Sequence, residues 1–126
     1  MDKTLYEKIG EKDLQNVLNG FYDRVFTHPT LIPLFENSDR AEVQEKQFLF
    51  LSQFLGGPQA YSERFGPPRM RARHLPHKIT PTAAKAWLGC MKESIEEQDW
   101  EERMKEVFYS IFPPIAAHMI NSEDEN

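Results

Sequence analysis

The sequence is poor in the features that usually announce a specialised protein class. It has one cysteine, Cys90, in 126 residues, so no disulfide framework within the chain is possible, and a lone thiol suits a reducing compartment. Its purest apolar run, Phe48-Leu49-Phe50-Leu51, falls far short of the roughly 18 residues that cross a bilayer. The opening Met1-Asp2-Lys3-Thr4 lacks the charged-then-apolar plan of a secretory signal. Basic residues are the minority, 15 against 20 acidic ones for a net charge of −5. That balance disfavours nonspecific attraction to nucleic acid or to anionic lipid. No internal repeat, low-complexity tract or sustained period-two alternation is present. The expectation is a cytoplasmic domain, with neither nucleic acid nor membrane among its partners.

What is present is enough for one core. Forty per cent of the residues are hydrophobic, and a chain of this length needs no disulfide or metal staple to fold. Proline and glycine punctuate it at Thr27-His28-Pro29, at Gly56-Gly57-Pro58 and from Gly66-Pro67-Pro68 to Pro81. Between these breaks the apolar residues recur at helical spacing. Leu14, Leu18, Phe21 and Val25, with Tyr22 beside them, predict a helix over about 11–26. Val43, Gln47, Phe50, Leu51 and Phe54 predict a second over about 39–55, and Phe48 and Leu55 widen its apolar arc until it needs cover on two sides. Thr80-Pro81 reads as an N-cap followed by proline in the first turn, opening a helix with Ala84, Trp87, Leu88, Met91 and Ile95 on one face. Asp99 and Glu102 have the spacing of a capping box for a last helix that carries Trp100, Met104, Val107, Phe108 and Ile111. Pro113-Pro114 should kink or restart that helix. The predicted fold class is all-α, with one domain over 1–121 and a polar tail over 122–126 that frays.

Two features do not fit an ordinary helical core. Tyr22, Gln47 and Trp87 place polar atoms on the apolar faces of three different helices. An unpartnered buried amide costs on the order of 1–3 kcal/mol. Either Gln47 bonds a backbone group and the aromatics are plain core, or the three line a shared ligand pocket. The second feature is the string Arg69-Met70-Arg71-Ala72-Arg73-His74-Leu75-Pro76-His77. As a solvated basic loop it needs no explanation. As a nucleic-acid contact it lacks interleaved aromatics, and as a zinc site His74 and His77 with His28 and His118 lack recognisable ligand spacing. Arginines beside a histidine also suit a large apolar cofactor bearing a metal and peripheral carboxylates.

Taken together these strings are more specific than any one of them. Phe21-Tyr22-Asp23-Arg24-Val25, Lys46-Gln47-Phe48-Leu49, Gln53-Phe54-Leu55-Gly56-Gly57-Pro58, Tyr61, the Arg-x-Arg-His-Leu string ending at Leu75 and Ala86-Trp87-Leu88 occur in one order. In that order the chain resembles the truncated hemoglobins of the second group. The resemblance implies a two-over-two helical sandwich around heme b. It implies that His74 ligates the iron and that Tyr22, Gln47 and Trp87 are the polar residues over the opposite, distal face. Phe35 would wedge the heme and Arg73 would lie near a propionate. Phe50, Leu51, Phe54, Tyr61 and Met70 would touch the porphyrin. Val43 stands where relatives carry a small residue or threonine. His77 replaces a phenylalanine, as a surface residue near a propionate or as a competitor for iron.

The implied function is binding of dioxygen and other diatomic ligands at ferrous iron, in a polar pocket suited to tight retention. Redox chemistry of the nitric-oxide dioxygenase or peroxidase type would need a reductant that the sequence does not reveal. The expected state is a monomer or weak homodimer. The competing readings are a cofactor-free helical interaction module and a heme-based sensor, the latter without an output domain in this chain.

Overall fold

The computed structural model describes residues 3–66 and 79–124. Among these residues the chain is helical, without strands. Helix α1 (Leu5–Ile9) leads into α2 (Glu11–Val25), followed by the short α3 (Ile32–Phe35), then α4 (Arg40–Phe54) and α5 (Ala60–Phe65). Beyond the undescribed stretch come α6 (Pro81–Glu96), α7 (Glu102–Tyr109) and α8 (Phe112–Met119). Helix α2 packs on α4 and, most extensively, on α6, and α6 packs on α8. The sequence pattern explains α2 well: Leu14, Val17, Leu18, Phe21 and Val25 form its fully buried stripe. Burying each of these side chains is worth on the order of 1.5–3 kcal/mol.

The α2–α6 crossing is close because Gly20 has no side chain. A Cβ there would stand 2.6 Å from Ser94 Oγ, and that hydroxyl donates to the Val17 carbonyl at 2.6 Å. At the margin of the same crossing the Arg24 guanidinium donates to Glu93 at 3.1 Å and pairs with Glu97.

The helix ends follow their local chemistry. Thr80 caps α6 by accepting from the Ala83 amide at 3.1 Å, and Pro81 occupies the first turn, as the sequence predicts. Asp39 caps α4 through the Ala41 amide. Pro113 and Pro114 sit in the first turn of α8, where a missing N–H costs nothing, so the chain breaks at Ser110–Ile111 and restarts.

The Asp99–Glu102 capping box does not form. Helix α7 opens one residue after Glu101, without a side-chain cap. Trp100 is held instead by its own contacts, an indole N–H donated to Asp13 at 3.2 Å and an edge-on contact with Phe108. A genuine capping box occurs at Thr4 and Glu7, where it opens α1. The two-glycine turn after α4 is needed by α1: a Cβ on Gly56 would stand 2.9 Å from Thr4, and one on Gly57 would stand 2.7 Å from the Tyr6 ring.

The described residues after α8 are hydrogen-bonded back to the start of α6. Asn121 Oδ1 accepts from the Ile79 amide at 2.9 Å, and the amides of Asn121 and Ser122 donate back to the Ile79 carbonyl at 2.9 and 3.1 Å. Asp124 accepts from the Thr82 amide, a bond that lowers its carboxyl pKa from the ordinary value. The polar residues that cannot pack as a core serve here as hydrogen-bond partners to the start of α6.

Candidate functional site

A cavity of about 410 Å³ lies against α2, α3, α4 and α6, with α5 and α8 contributing at its edges. Its size falls within the range of pockets that hold organic ligands. The wall is mainly hydrocarbon: Leu31, Leu34, Phe35, Val43, Phe50, Ile79, Ala83, Ala84, Ile115, Ala116 and Met119. Tyr22, Gln47 and Trp87 all line it. The three polar residues that seemed misplaced on separate helices therefore converge on one space. None of them makes a hydrogen bond among the described residues.

The donors are held with different firmness. Tyr22 is buried, and its ring lies edge-on to Phe21 at 4.7 Å between centroids. Burial pushes the phenol's pKa well above its ordinary value, so it persists as an O–H donor. Trp87 is wedged between Phe21 at 5.4 Å and Phe112 at 5.8 Å, both edge-on. Such ring pairs contribute about 0.5–1.5 kcal/mol beyond the area they bury, and here they fix the direction of the indole. Gln47 lies on α4 half-buried, without an equivalent clamp. Phe26 joins two of the lining residues, meeting Tyr22 at 6.1 Å and Phe35 at 5.3 Å.

The other expected contact residues divide. Phe35, Phe50 and Tyr61 line the cavity. Leu51 does not: it is fully buried in the core cluster, because one step along α4 turns it away from Phe50's direction. Phe54 is 53% exposed and outside the lining, so the two-sided cover expected for α4 stops short of its last turn. Phe54's ring meets Phe50 at 5.7 Å. Met70, Arg73 and His74, like His77, lie outside the described residues. The described chain resumes at Ile79, itself part of the cavity wall.

Sequence reasoning missed Lys46, which lines the cavity while its ammonium sits 5.1 Å from the Phe65 ring centroid. It also missed the α8 residues Ile115, Ala116 and Met119. These residues lie in an eight-residue helix that opens on two prolines, too short a run for a stripe to stand out by spacing.

An all-helical domain that surrounds an apolar cavity with unpaired donors is built as a cofactor-binding protein. The bacterial-like globin family model matches residues 4–121. The group 2 truncated hemoglobin YjbI of Bacillus subtilis is 44% identical over 94% of this chain and 89% of its own. The crystal structure of the group II truncated hemoglobin from Bacillus anthracis superposes with a TM-score of 0.93 at 38% identity, covering 100% of this chain and 97% of that one. The structure of the truncated oxygen-avid haemoglobin from Bacillus subtilis gives 0.88 at 43% identity, over 94% and 100%. The chain belongs to the bacterial-like globins and, within them, to the group II truncated hemoglobins, with their two-on-two helical fold.

The cofactor of this family is heme b with its iron. The cavity suits it on three counts. Its walls are apolar, as a porphyrin requires, and aromatic rings from α3, α4 and α5 face it. Lys46 places a cation in the lining, the charge that would pair with a peripheral carboxylate. Tyr22, Gln47 and Trp87 supply donors that no described protein group uses.

Proposed function

We propose that the protein binds dioxygen tightly at ferrous heme, with His74 as the protein ligand to iron and Tyr22 and Trp87 as the donors that retain the bound molecule. The observation that carries this reading is the convergence of three unpaired donors, from three helices, on one apolar cavity. Heme b supplies the iron at which a diatomic molecule is taken up and released. The chain supplies everything that decides how long the molecule stays.

Dioxygen draws electron density when it binds a reduced metal and becomes a hydrogen-bond acceptor; carbon monoxide does so much less. Donors already fixed by packing require little reorganisation to meet it. The Tyr22 hydroxyl is protonated across the physiological range, and its ring is clamped against Phe21 and Phe26. The Trp87 indole is clamped by Phe21 and Phe112. Val43 adds only hydrocarbon to the same wall. A pocket with such donors favours retention over bulk delivery, and suits either dioxygenation of nitric oxide by the retained molecule or, as a separate reaction, reduction of peroxide, each with a reductant supplied from outside the chain.

The test is reconstitution. The purified chain should take up hemin one to one and develop a Soret band, and its dithionite-reduced form should bind dioxygen reversibly. His74→Ala should lose hemin during purification, and imidazole should restore part of the binding. A chain that stays colourless in the presence of hemin would sink the proposal. A His74→Ala protein with unchanged spectra and hemin retention would overturn the ligand assignment alone.

A further inference from the structure

A file of aromatic rings leads from the cavity to Trp100. Trp87 meets Phe112 at 5.8 Å, Phe112 meets Phe108 at 5.2 Å, and Phe108 meets Trp100 at 5.5 Å. The interplanar angles are 62°, 68° and 90°, so each contact is edge-on and near van der Waals distance. Phe108 and Phe112 are wholly buried. The file starts at a cavity-lining tryptophan and ends at a half-buried one, on the chain between α6 and α7. At its outer end the Trp100 indole N–H donates to the Asp13 carboxylate at 3.2 Å.

The two ends differ from the middle in chemistry. Phenylalanine is too hard to oxidise to hold a missing electron, whereas tryptophan can hold one. Phe112 and Phe108 therefore act as packed medium, and Trp87 and Trp100 are the stations. The stations also differ from each other. One-electron oxidation makes an indole N–H strongly acidic. Trp87 has no acceptor on its N–H among the described residues, while Trp100 has the Asp13 carboxylate already in place. Loss of the proton to Asp13 traps the oxidised state at Trp100 as a neutral radical.

We propose that Trp100, with Asp13 as its proton acceptor, is the outlet by which oxidising equivalents leave the cavity, electrons passing inward in exchange, when a hydroperoxide is reduced there. The proposal rests on the reading of the cavity as a heme site. Hydrogen peroxide reduced in the cavity takes two electrons and two protons and leaves as two waters, the protons coming from solvent. Each electron passes inward from Trp100, by way of Trp87. As it leaves, the Trp100 N–H bond breaks and its proton moves to the Asp13 carboxylate. A one-electron reductant in solution, of the phenol or ascorbate class, returns an electron to Trp100. Asp13 then gives the proton back and the outlet is restored. Without such a reductant the oxidation stays on Trp100 and marks it.

The experiment treats the hemin-loaded protein with stoichiometric hydrogen peroxide in the absence of reductant. Electron paramagnetic resonance and peptide mass mapping then locate the radical and the oxygen-addition products. The expected result is a neutral tryptophan radical and products concentrated on Trp100. Added ascorbate should suppress both. Trp100→Phe should move the products to Trp87 and Tyr22 and hasten bleaching of the Soret band. Asp13→Asn keeps a hydrogen-bond acceptor but removes the base, and should lower the Trp100 product yield by about tenfold, the weight of one charge-assisted hydrogen bond.

Products confined to Trp87 and Tyr22 in the unaltered protein would overturn the proposal. So would an Asp13→Asn yield equal to that of the unaltered protein, or equal oxidation of Trp100 in the hemin-free chain, which would mean direct attack from solvent. A chain that forms no Soret band fails at the earlier step, and the heme reading falls together with the outlet.

Discussion

The cavity has two unlike walls. The wall made by α2 and α6 is closed-packed: Tyr22 and Trp87 stand on helices whose crossing is fixed by Gly20 and Ser94, and both rings are clamped by other rings. The wall made by α4 is looser. Val43, Lys46 and Gln47 are half-buried or exposed there, and α4 ends in an exposed phenylalanine. A donor on the first wall points one way whatever occupies the cavity. A donor on the second can turn toward a ligand, toward water or away. Ligand retention should therefore be the work of α2 and α6, with α4 adjusting.

The largest test of that contrast is removal of the clamped donors. A hydrogen bond to a partly charged acceptor is worth about 1.5–3 kcal/mol, and each 1.4 kcal/mol is a factor of ten. Tyr22→Phe or Trp87→Phe should therefore speed dioxygen release by roughly ten- to a hundredfold in stopped-flow traces, with association little changed. Carbon monoxide release should change much less. If both single variants and their combination release dioxygen at the unaltered rate, the packed wall does not retain ligand, although the heme site itself would survive that result.

A second test reads the packing of the same wall through pH. Because burial raises the Tyr22 pKa in the folded protein, the native state holds that proton more firmly than the unfolded chain does. Its contribution to stability is complete below the ordinary tyrosine value near 10 and is lost as pH rises from there toward the folded value. The holoprotein should accordingly lose up to about 1.4 kcal/mol per pH unit from this group on the alkaline side. Tyr22→Phe should make that limb shallower in denaturant melts. An alkaline limb of equal slope in both proteins would show that the phenol is solvated.

The same contrast explains what could be read from the sequence. Helix α2 was legible at both ends and α6 at its start, because a wall packed on one side leaves a clean 3.6-residue stripe and needs distinct ends such as Thr80-Pro81. Tyr22 and Trp87 stood out because they interrupt that stripe with polar atoms. Helix α4 was legible as a helix but not in its facing. With apolar residues around most of its circumference, spacing alone could not say that Phe50 would face the cavity, Leu51 the core and Phe54 the solvent. Asp99 misled for a different reason. Its spacing to Glu102 is local, whereas the position of Trp100 is decided by Asp13, far away in sequence. The clasp between Ile79 and residues 121–124 was hidden likewise, since a polar tail carries no periodicity to betray its partner.

The smallest expected effect sharpens the comparison most. Gln47 faces the same cavity as Tyr22 and Trp87 and, like them, carries a hydrogen-bond donor, but it stands on the looser wall. Half-buried on α4, its amide can exchange a ligand for water at little cost, which places its net hydrogen bond at the low end of the usual range, about 0.5 kcal/mol. Gln47→Leu should then raise the dioxygen release rate by only about two- to threefold. In a Tyr22→Phe background the effect should grow, because a mobile amide can swing toward an acceptor that has lost its fixed partner. That non-additivity is the signature of two donors sharing one acceptor. A tenfold effect of Gln47→Leu in the otherwise unaltered protein would mean that α4 holds its donor as firmly as α2 and α6 hold theirs, and the division between the walls would be wrong.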